Sequence, residues 1–307
     1  MRIAILCNDH LGLAALHQLL PSGLVVAAAS GNHSSEPALV MKGMCNAAGI
    51  PFCVFLKKDF EKELMKWLDT YKPDVVLVKT FPRMIPGAAL TVPKHGFLNF
   101  HYAPLPEFRG ANPIFWMIRN REKQGGVTVH KMDKGYDSGD ILLSQSVPLT
   151  PDKNNGFYCT QLSWAGAQLT MQLLEGLRTG SLSPVPQDES KAKWYGRPSV
   201  ADMTIRWSEM DAASVKALVK ACNPGLKGAV ASCNGWMFGI TEAEIATDWK
   251  GASAAPGTIV SIDPEKGTLI ACAENTYLRL EVFYCREGFY PGYKLRMFGM
   301  DVNSVLG

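Results

Sequence analysis

Asn99 and His101 stand two residues apart, and Asp137 follows after one further helical pattern and one strand pattern. Residues i and i+2 of a strand share a face, so the amide and the imidazole can point into one cleft while a loop supplies the carboxylate. That geometry suits amide-forming chemistry. Asp137 lies in Lys134-Gly135-Tyr136-Asp137-Ser138-Gly139, whose two glycines permit a tight turn and a close approach of backbone to a ligand. The chain has six histidines, none beyond His130. His10, His17, His33, His95 and His130 read as ordinary helix, loop or strand surface residues, whereas His101 stands out by its company.

The elements that must position these groups read as alternating strands and helices. Ile3–Leu6 is an apolar strand, Asn8 or Asp9 can cap a helix running to Leu20, and Leu24–Ala29 is the next strand. Pro37–Ala48 and Asp59–Tyr71 are helical, Pro51–Phe55 and Val75–Val78 strand-like. Strands buried on both faces with helices between them predict an α/β, Rossmann-like unit with a mostly parallel sheet. Ligands of such sheets bind beyond the carboxyl ends of the strands. The loop after Leu6 carries only Gly12 where a dinucleotide site needs G-x-G-x-x-G, and no P-loop motif is present.

With 47% apolar and 19% charged residues in 307, the composition is that of a globular protein, and a formal charge of +3 does not advertise a nucleic-acid partner. Eight scattered cysteines without a C-x-x-C pair suggest reduced thiols in a cytoplasmic protein, with neither a disulfide framework nor a metal site. No signal peptide or membrane span is expected.

The ordered elements Asn99-x-His101, Leu105-Pro106-x-x-Arg109-Gly110, Gly126-Val-Thr-x-His130-x-Met132 and Asp137-x-Gly139 resemble the signature of the 10-formyltetrahydrofolate-dependent formyltransferases. This family spans glycinamide ribonucleotide, methionyl-tRNA and amino-sugar formyltransferases and formyltetrahydrofolate hydrolases. The resemblance implies Asn99, His101 and Asp137 as the reactive trio. Asn99 would donate to the formyl oxygen, His101 would polarise that oxygen or relay protons, and Asp137 would orient the imidazole. It further implies that the 10-formyltetrahydrofolate co-substrate lies against main chain at Arg83-Met84-Ile85 and Lys134-Gly135-Tyr136, with no metal. Two positions depart from the family pattern. Tyr102 and Ala103 follow the histidine where a small residue and a serine are common, which would alter the wall of the acceptor pocket.

Asp140–Val147 is a further strand and Gly156–Leu177 a long helix; the polar, proline-bearing stretch after it reads as a linker. The expected division is a catalytic domain over 1–183, a linker over 184–203 and a smaller OB-like β-barrel domain over 204–307. In the last, five strands are predicted, with Asn234-Gly235 as a hairpin turn. A small primary amine, such as a nucleotide-linked amino sugar, is the favoured acceptor. The reason is that Ser30–Leu39 lacks the basic insertion expected of a tRNA-binding relative and contains no Lys or Arg. Methionyl-tRNA is the alternative acceptor. Hydrolysis of formyltetrahydrofolate and a non-catalytic folate- or nucleic-acid-binding module are rivals from other classes.

Overall fold

The computed structural model describes residues 1–32 and 35–307, so His33 lies outside the described residues. Along the chain run β1 (Ile3–Cys7), α1 (Leu13–Leu19), β2 (Val25–Ser30), α2 (Glu36–Ala47), β3 (Phe52–Val54), α3 (Phe60–Tyr71), β4 (Val75–Lys79) and the short α4 (Gly87–Leu90). They are followed by β5 (Phe97–His101), β6 (Arg109–Gly110), α5 (Pro113–Arg119), β7 (Gln124–Lys131), β8 (Ile141–Pro148), α6 (Asn155–Thr179), β9 (Trp194–Tyr195) and α7 (Val200–Met203). The remainder comprises α8 (Ala212–Cys222), β10 (Ala229–Cys233), β11 (Trp236–Ala246), β12 (Ile259–Asp263), β13 (Gly267–Ala271), β14 (Tyr277–Cys285) and β15 (Gly288–Pro291).

The residues form two compact units. Met1–Pro113, Gln124–Pro148 and Cys159–Tyr195 make the first; Ile114–Lys123, Leu149–Tyr158 and Gly196–Gly307 make the second. In the first, a seven-stranded sheet has the order β3-β2-β1-β4-β5-β7-β8. Strands β1 to β5 pair in parallel, and β7 and β8 are added antiparallel. Every residue of β1 and β4 is buried, as apolar strands covered by helices on both faces must be. Phe55, Phe60, Leu64, Trp67 and Phe97 build the core on one side. The order reverses at β1, whose neighbours are β2 and β4, and ligands of open sheets gather outside the carboxyl ends near such a reversal.

Asp9 accepts from the Leu11 N–H and starts the helical segment leading into α1, as its position before an apolar run predicts. Strand β4 runs one residue beyond its apolar stretch and ends in Lys79, which is fully buried. Part of the stretch expected as linker is integral to the first unit. Val185 bridges Ile141, and Trp194 and Tyr195 pair in parallel with Arg109 and Gly110.

The second unit holds the expected small β structure, with six strands instead of five. Its antiparallel order is β10-β11-β14-β13-β12, and β15 pairs the far end of β14. Asn234 and Gly235, both at positive φ, turn β10 into β11. The two edge strands are joined by the segment 303–307. Ser232 and Gly307 exchange two backbone hydrogen bonds on the β10 side, while Asn303 and Ser304 bond Ile259 on the β12 side. This pairing covers both edges and gives the sheet its barrel character.

Candidate active site

Strand β5 places Asn99 and His101 two residues apart near its carboxyl end, and β7 places His130 and Thr128 directly opposite them. Asp137 stands in the loop between β7 and β8 with φ +51°, a left-handed conformation that aspartate adopts more readily than most residues. Its carboxylate is the centre of the cluster. Oδ1 accepts from Asn99 Nδ2 at 3.3 Å and lies 3.5 Å from His130 Nε2. Oδ2 accepts from the Gly110 N–H at 3.0 Å and lies 3.7 Å from His101 Nδ1. Gly110 has φ +100°, and a Cβ there would run into the Tyr195 carbonyl, so only glycine brings this N–H to the carboxylate.

The protons can be assigned from partners. His101 Nε2 lies 2.6 Å from the Phe108 carbonyl, which can only accept, so Nε2 carries a proton. In the neutral ring Nδ1 then presents a lone pair toward Asp137, and protonation there converts an opposed contact into an ion pair. Burial pushes the His101 pKa below its ordinary value, with Asp137 and the Phe108 carbonyl pulling the other way and His130 adding to the fall. For Asp137, burial alone would raise the pKa. The His101 and His130 rings and the Gly110 N–H more than offset it and hold the carboxyl well below the usual carboxylate range. The arrangement is an ionised carboxylate beside a largely neutral imidazole whose free nitrogen can take up a proton.

His130 is not the ordinary surface residue expected from its strand: it is buried at 2% exposure. Its Nδ1 lies 3.2 Å from the Lys131 carbonyl and so acts as donor, which leaves Nε2 to accept from Asn99 Nδ2 at 3.0 Å. Arg109, although charged, is only 1% exposed. It grips Glu189 through two bonds of 2.8 and 2.6 Å and Gln187 Oε1 through two of 3.1 and 2.8 Å, beneath the Trp194 ring. Gln187 and Glu189 carry no motif that would have marked them. Tyr102 and Ala103, expected on the wall of an acceptor pocket, are buried instead. The Tyr102 hydroxyl donates to the Leu11 carbonyl at 2.8 Å, and the Ala103 carbonyl accepts from Thr128 at 2.8 Å. The aromatic ring is packing between elements, and the missing serine hydroxyl is no loss to an open surface.

The Lys134 side chain reaches toward Gly87, two residues beyond Ile85: a Cβ built on Gly87 would lie 3.5 Å from Lys134 Cε. Met84 and Tyr136 are exposed, Tyr136 at 61%. The Ile85 side chain is in the core, so its main chain alone can meet a ligand. The Arg83 guanidinium donates twice to the Gly31 carbonyl at 3.2 Å and is thus occupied at the carboxyl end of β2. The Gly135 N–H is engaged by Asp133 at 2.8 Å.

An open, mostly parallel α/β sheet with an amide, an imidazole and a carboxylate gathered at the carboxyl end of one strand has the layout of the Rossmann-like class. The chain belongs to the formyl transferase family, whose profile matches residues 1–174. It is similar along its whole length to methionyl-tRNA formyltransferase of Geotalea uraniireducens (strain Rf4), with 30% identity over 317 residues covering 100% of this chain and 98% of that one. The methionyl-tRNA formyltransferase of Lachnospira eligens is 32% identical over 229 residues, 72% of this chain and 70% of that one. Among solved structures, an N-formyltransferase from Helicobacter canadensis in complex with folinic acid and dTDP-3-aminofucose superposes with a TM-score of 0.67 at 15% identity, over 94% of this chain and 100% of that one. HypX from Aquifex aeolicus in complex with tetrahydrofolic acid gives 0.67 at 20% identity over 96% of this chain, which spans 46% of that longer protein. At such identities the structural likeness is one of fold.

Proposed function

We propose that the chain transfers a formyl group from 10-formyltetrahydrofolate to the primary amine of a small metabolite such as a nucleotide-linked amino sugar. Asn99, His101 and Asp137 are the reactive groups in this reading. The observation that carries it is the meeting of an amide donor, a buried imidazole and an ionised carboxylate at one point. The amine nitrogen bonds to the formyl carbon, the carbon–N10 bond of the folate breaks, and the proton lost by the amine ends on the departing N10. Such a route passes through an oxyanion, which a preorganised N–H stabilises. Asn99 supplies it by exchanging its longer bond, that to Asp137 at 3.3 Å, for the formyl oxygen. His101 takes the amine proton on Nδ1, while its committed Nε2 fixes the ring. The co-substrate lies along the main chain of Arg83, Met84, Ile85, Lys134, Gly135 and Tyr136, and the relatives solved with folates support that class of ligand.

A small acceptor is favoured by charge. Only five residues join β2 to α2, and none is Lys or Arg. Residues 204–307 carry ten Lys or Arg against eleven Asp or Glu. Nucleic-acid affinity comes mostly from neutralising phosphates, and neither region offers the surplus. A second reading, with methionyl-tRNA as acceptor, is favoured by the full-length similarity to the Geotalea protein. Among the described residues no helix is long and apolar enough to cross a membrane, and the eight scattered thiols support the cytoplasm as the compartment.

One assay decides among these. Purified protein is mixed with 10-formyltetrahydrofolate and, separately, amino-sugar nucleotides, methionyl-tRNA or no amine, while tetrahydrofolate release is followed. Release with the small amines alone is expected. Release only with charged tRNA replaces the acceptor, release without amine makes the enzyme a hydrolase, and release in no mixture removes the reaction.

A further inference from the structure

Gln187 lies 50 residues beyond Asp137 in the polar stretch leading to β9, yet both ends of its amide are committed to the reactive cluster. Nε2 donates to the carbonyls of Asp137 and Gly139, each at 2.8 Å. Oε1 accepts from Arg109 Nε and Nη2 at 3.1 and 2.8 Å. Only this orientation fits, because two carbonyls require a donor and a guanidinium an acceptor. Arg109 is in turn buried and anchored by Glu189, and its neighbour Gly110 supplies the N–H that holds the Asp137 carboxylate. The aspartate is therefore gripped twice, by its backbone through Gln187 and by its carboxylate through Gly110, and both grips lead back to Arg109.

The turn needs such restraint. A left-handed conformation is disfavoured for a residue with a Cβ, and the Asp137 backbone adopts it. Gly139 has no room for a side chain, since a Cβ would collide with the Lys131 carbonyl. Without a donor at position 187, two carbonyls of this turn lose their partner.

We propose that Gln187 is a positioning residue for the reaction: its amide clamps the carbonyls on either side of Ser138 and thereby keeps the Asp137 carboxylate between Gly110, Asn99 and His101. The proposal rests on the formyl-transfer reading, and its test has an arm that does not. Gln187→Met keeps the length of the side chain and removes the donor. With histidine ring labels, the His101 titration is followed by NMR. The groups facing that ring are Asp137, His130 and the Phe108 carbonyl; Asp137 and the Phe108 carbonyl favour its protonation, Asp137 the more strongly, and His130 opposes it. Release of the carboxylate lowers the His101 midpoint, read as about a threefold or greater rise in its acid dissociation constant. Tetrahydrofolate release is expected to fall about tenfold or more in turnover, with KM for the folate within about twofold. Gln187→Glu, which keeps the contact with Arg109 but cannot donate when ionised, is expected to lose turnover to the same degree, and it serves if the methionine variant does not fold. A wild-type turnover in Gln187→Glu overturns the proposal, as does lost turnover in Gln187→Met with the His101 midpoint unmoved. If the wild-type protein releases no tetrahydrofolate with any amine, the function reading fails while the titration still decides the role of Gln187.

Discussion

Asn99 and His130 face each other across two antiparallel strands, with Nδ2 of the amide 3.0 Å from Nε2 of the imidazole. Since His130 Nδ1 donates to the Lys131 carbonyl, the ring can only accept from Asn99. It therefore fixes which way the amide is turned. His130→Phe keeps a buried ring and removes the nearer of the two acceptors of the Asn99 amide, so its orientation rests on the longer bond to Asp137 alone. Turnover is expected to fall about 10- to 100-fold with the folate KM little changed. Steady-state assays on both proteins check this, and equal turnover numbers remove His130 from the site.

The difference between what the sequence announces and what it conceals follows from the range of the interactions. Asn99 and His101 are two residues apart on a strand, and Asp137 is flanked by glycines, so local spacing points to all three. His130 becomes visible only once β5 and β7 are in register, because nothing in its own neighbourhood separates it from a surface strand residue. Gln187 and Glu189 lie 78 and 80 residues from Arg109, and Trp194–Tyr195 is too short a strand to show alternation. A proline-bearing polar stretch therefore looks like a linker although part of it pairs in the first unit. The sheet of the second unit is predictable from its alternating runs and Asn234-Gly235, whereas its closure by residues 303–307 depends on backbone bonds that leave no compositional mark.

Asn99 is the residue whose loss should strike turnover most selectively. Asn99→Ala is expected to lower turnover by about 10² to 10³ with little change in folate affinity, the effect of deleting one oxyanion donor. Asn99→Asp puts a second carboxylate beside Asp137, where two like charges cannot both persist without cost. It should be worse than the alanine variant at neutral pH, and the gap should narrow toward acid as the pair takes up a proton. Turnover of the two variants between pH 5 and about 8 tests the order.

Lys79, at the end of β4, is buried with its ammonium 2.9 Å from Thr170 Oγ1, 3.3 Å from the Gly166 carbonyl and 3.2 Å from the centre of the Phe100 ring. Burial lowers its pKa to about 7, with the adjacent Cys7 opposing. Between pH 7 and the ordinary lysine value the unfolded chain then binds a proton that the folded one does not, so stability rises with pH through this interval. Lys79→Met fills the space and strands no donor, since Thr170 itself donates to the Gly166 carbonyl. The variant is expected to be at least as stable as the wild type at pH 7 and to lose the rise toward alkali. Thermal melts at a series of pH values decide; a marked loss of Tm at pH 7 contradicts the assignment of Lys79 as a desolvated cation.

On the acid side, His101 and Asp137 make stability fall in succession. The folded state holds the His101 pKa below its ordinary value of 6.5, so as pH drops past 6.5 the unfolded chain takes up a proton first and stability is lost until the folded-state pKa is reached. Asp137, whose folded pKa is depressed, contributes stability that is complete above its ordinary value of 3.8 and disappears as pH falls toward the lower folded value. The His101 window opens first, below pH 6.5, and the Asp137 window opens below pH 3.8. His101→Gln should therefore flatten the decline of Tm just below pH 6.5 and, because His101 is the foremost group depressing the Asp137 carboxyl, also lessen the loss below pH 3.8, whereas Asp137→Asn should remove its own loss below pH 3.8 and keep the decline just below pH 6.5. Asp137→Asn also removes the charge that favours His101 protonation, so the His101 midpoint should move further down, which a labelled-histidine titration reads directly. An Asp137→Asn midpoint at or above the wild-type one would mean that the 3.7 Å contact between Nδ1 and Oδ2 carries no attraction in solution, and the carboxylate would then have no electrostatic hold on the imidazole it faces.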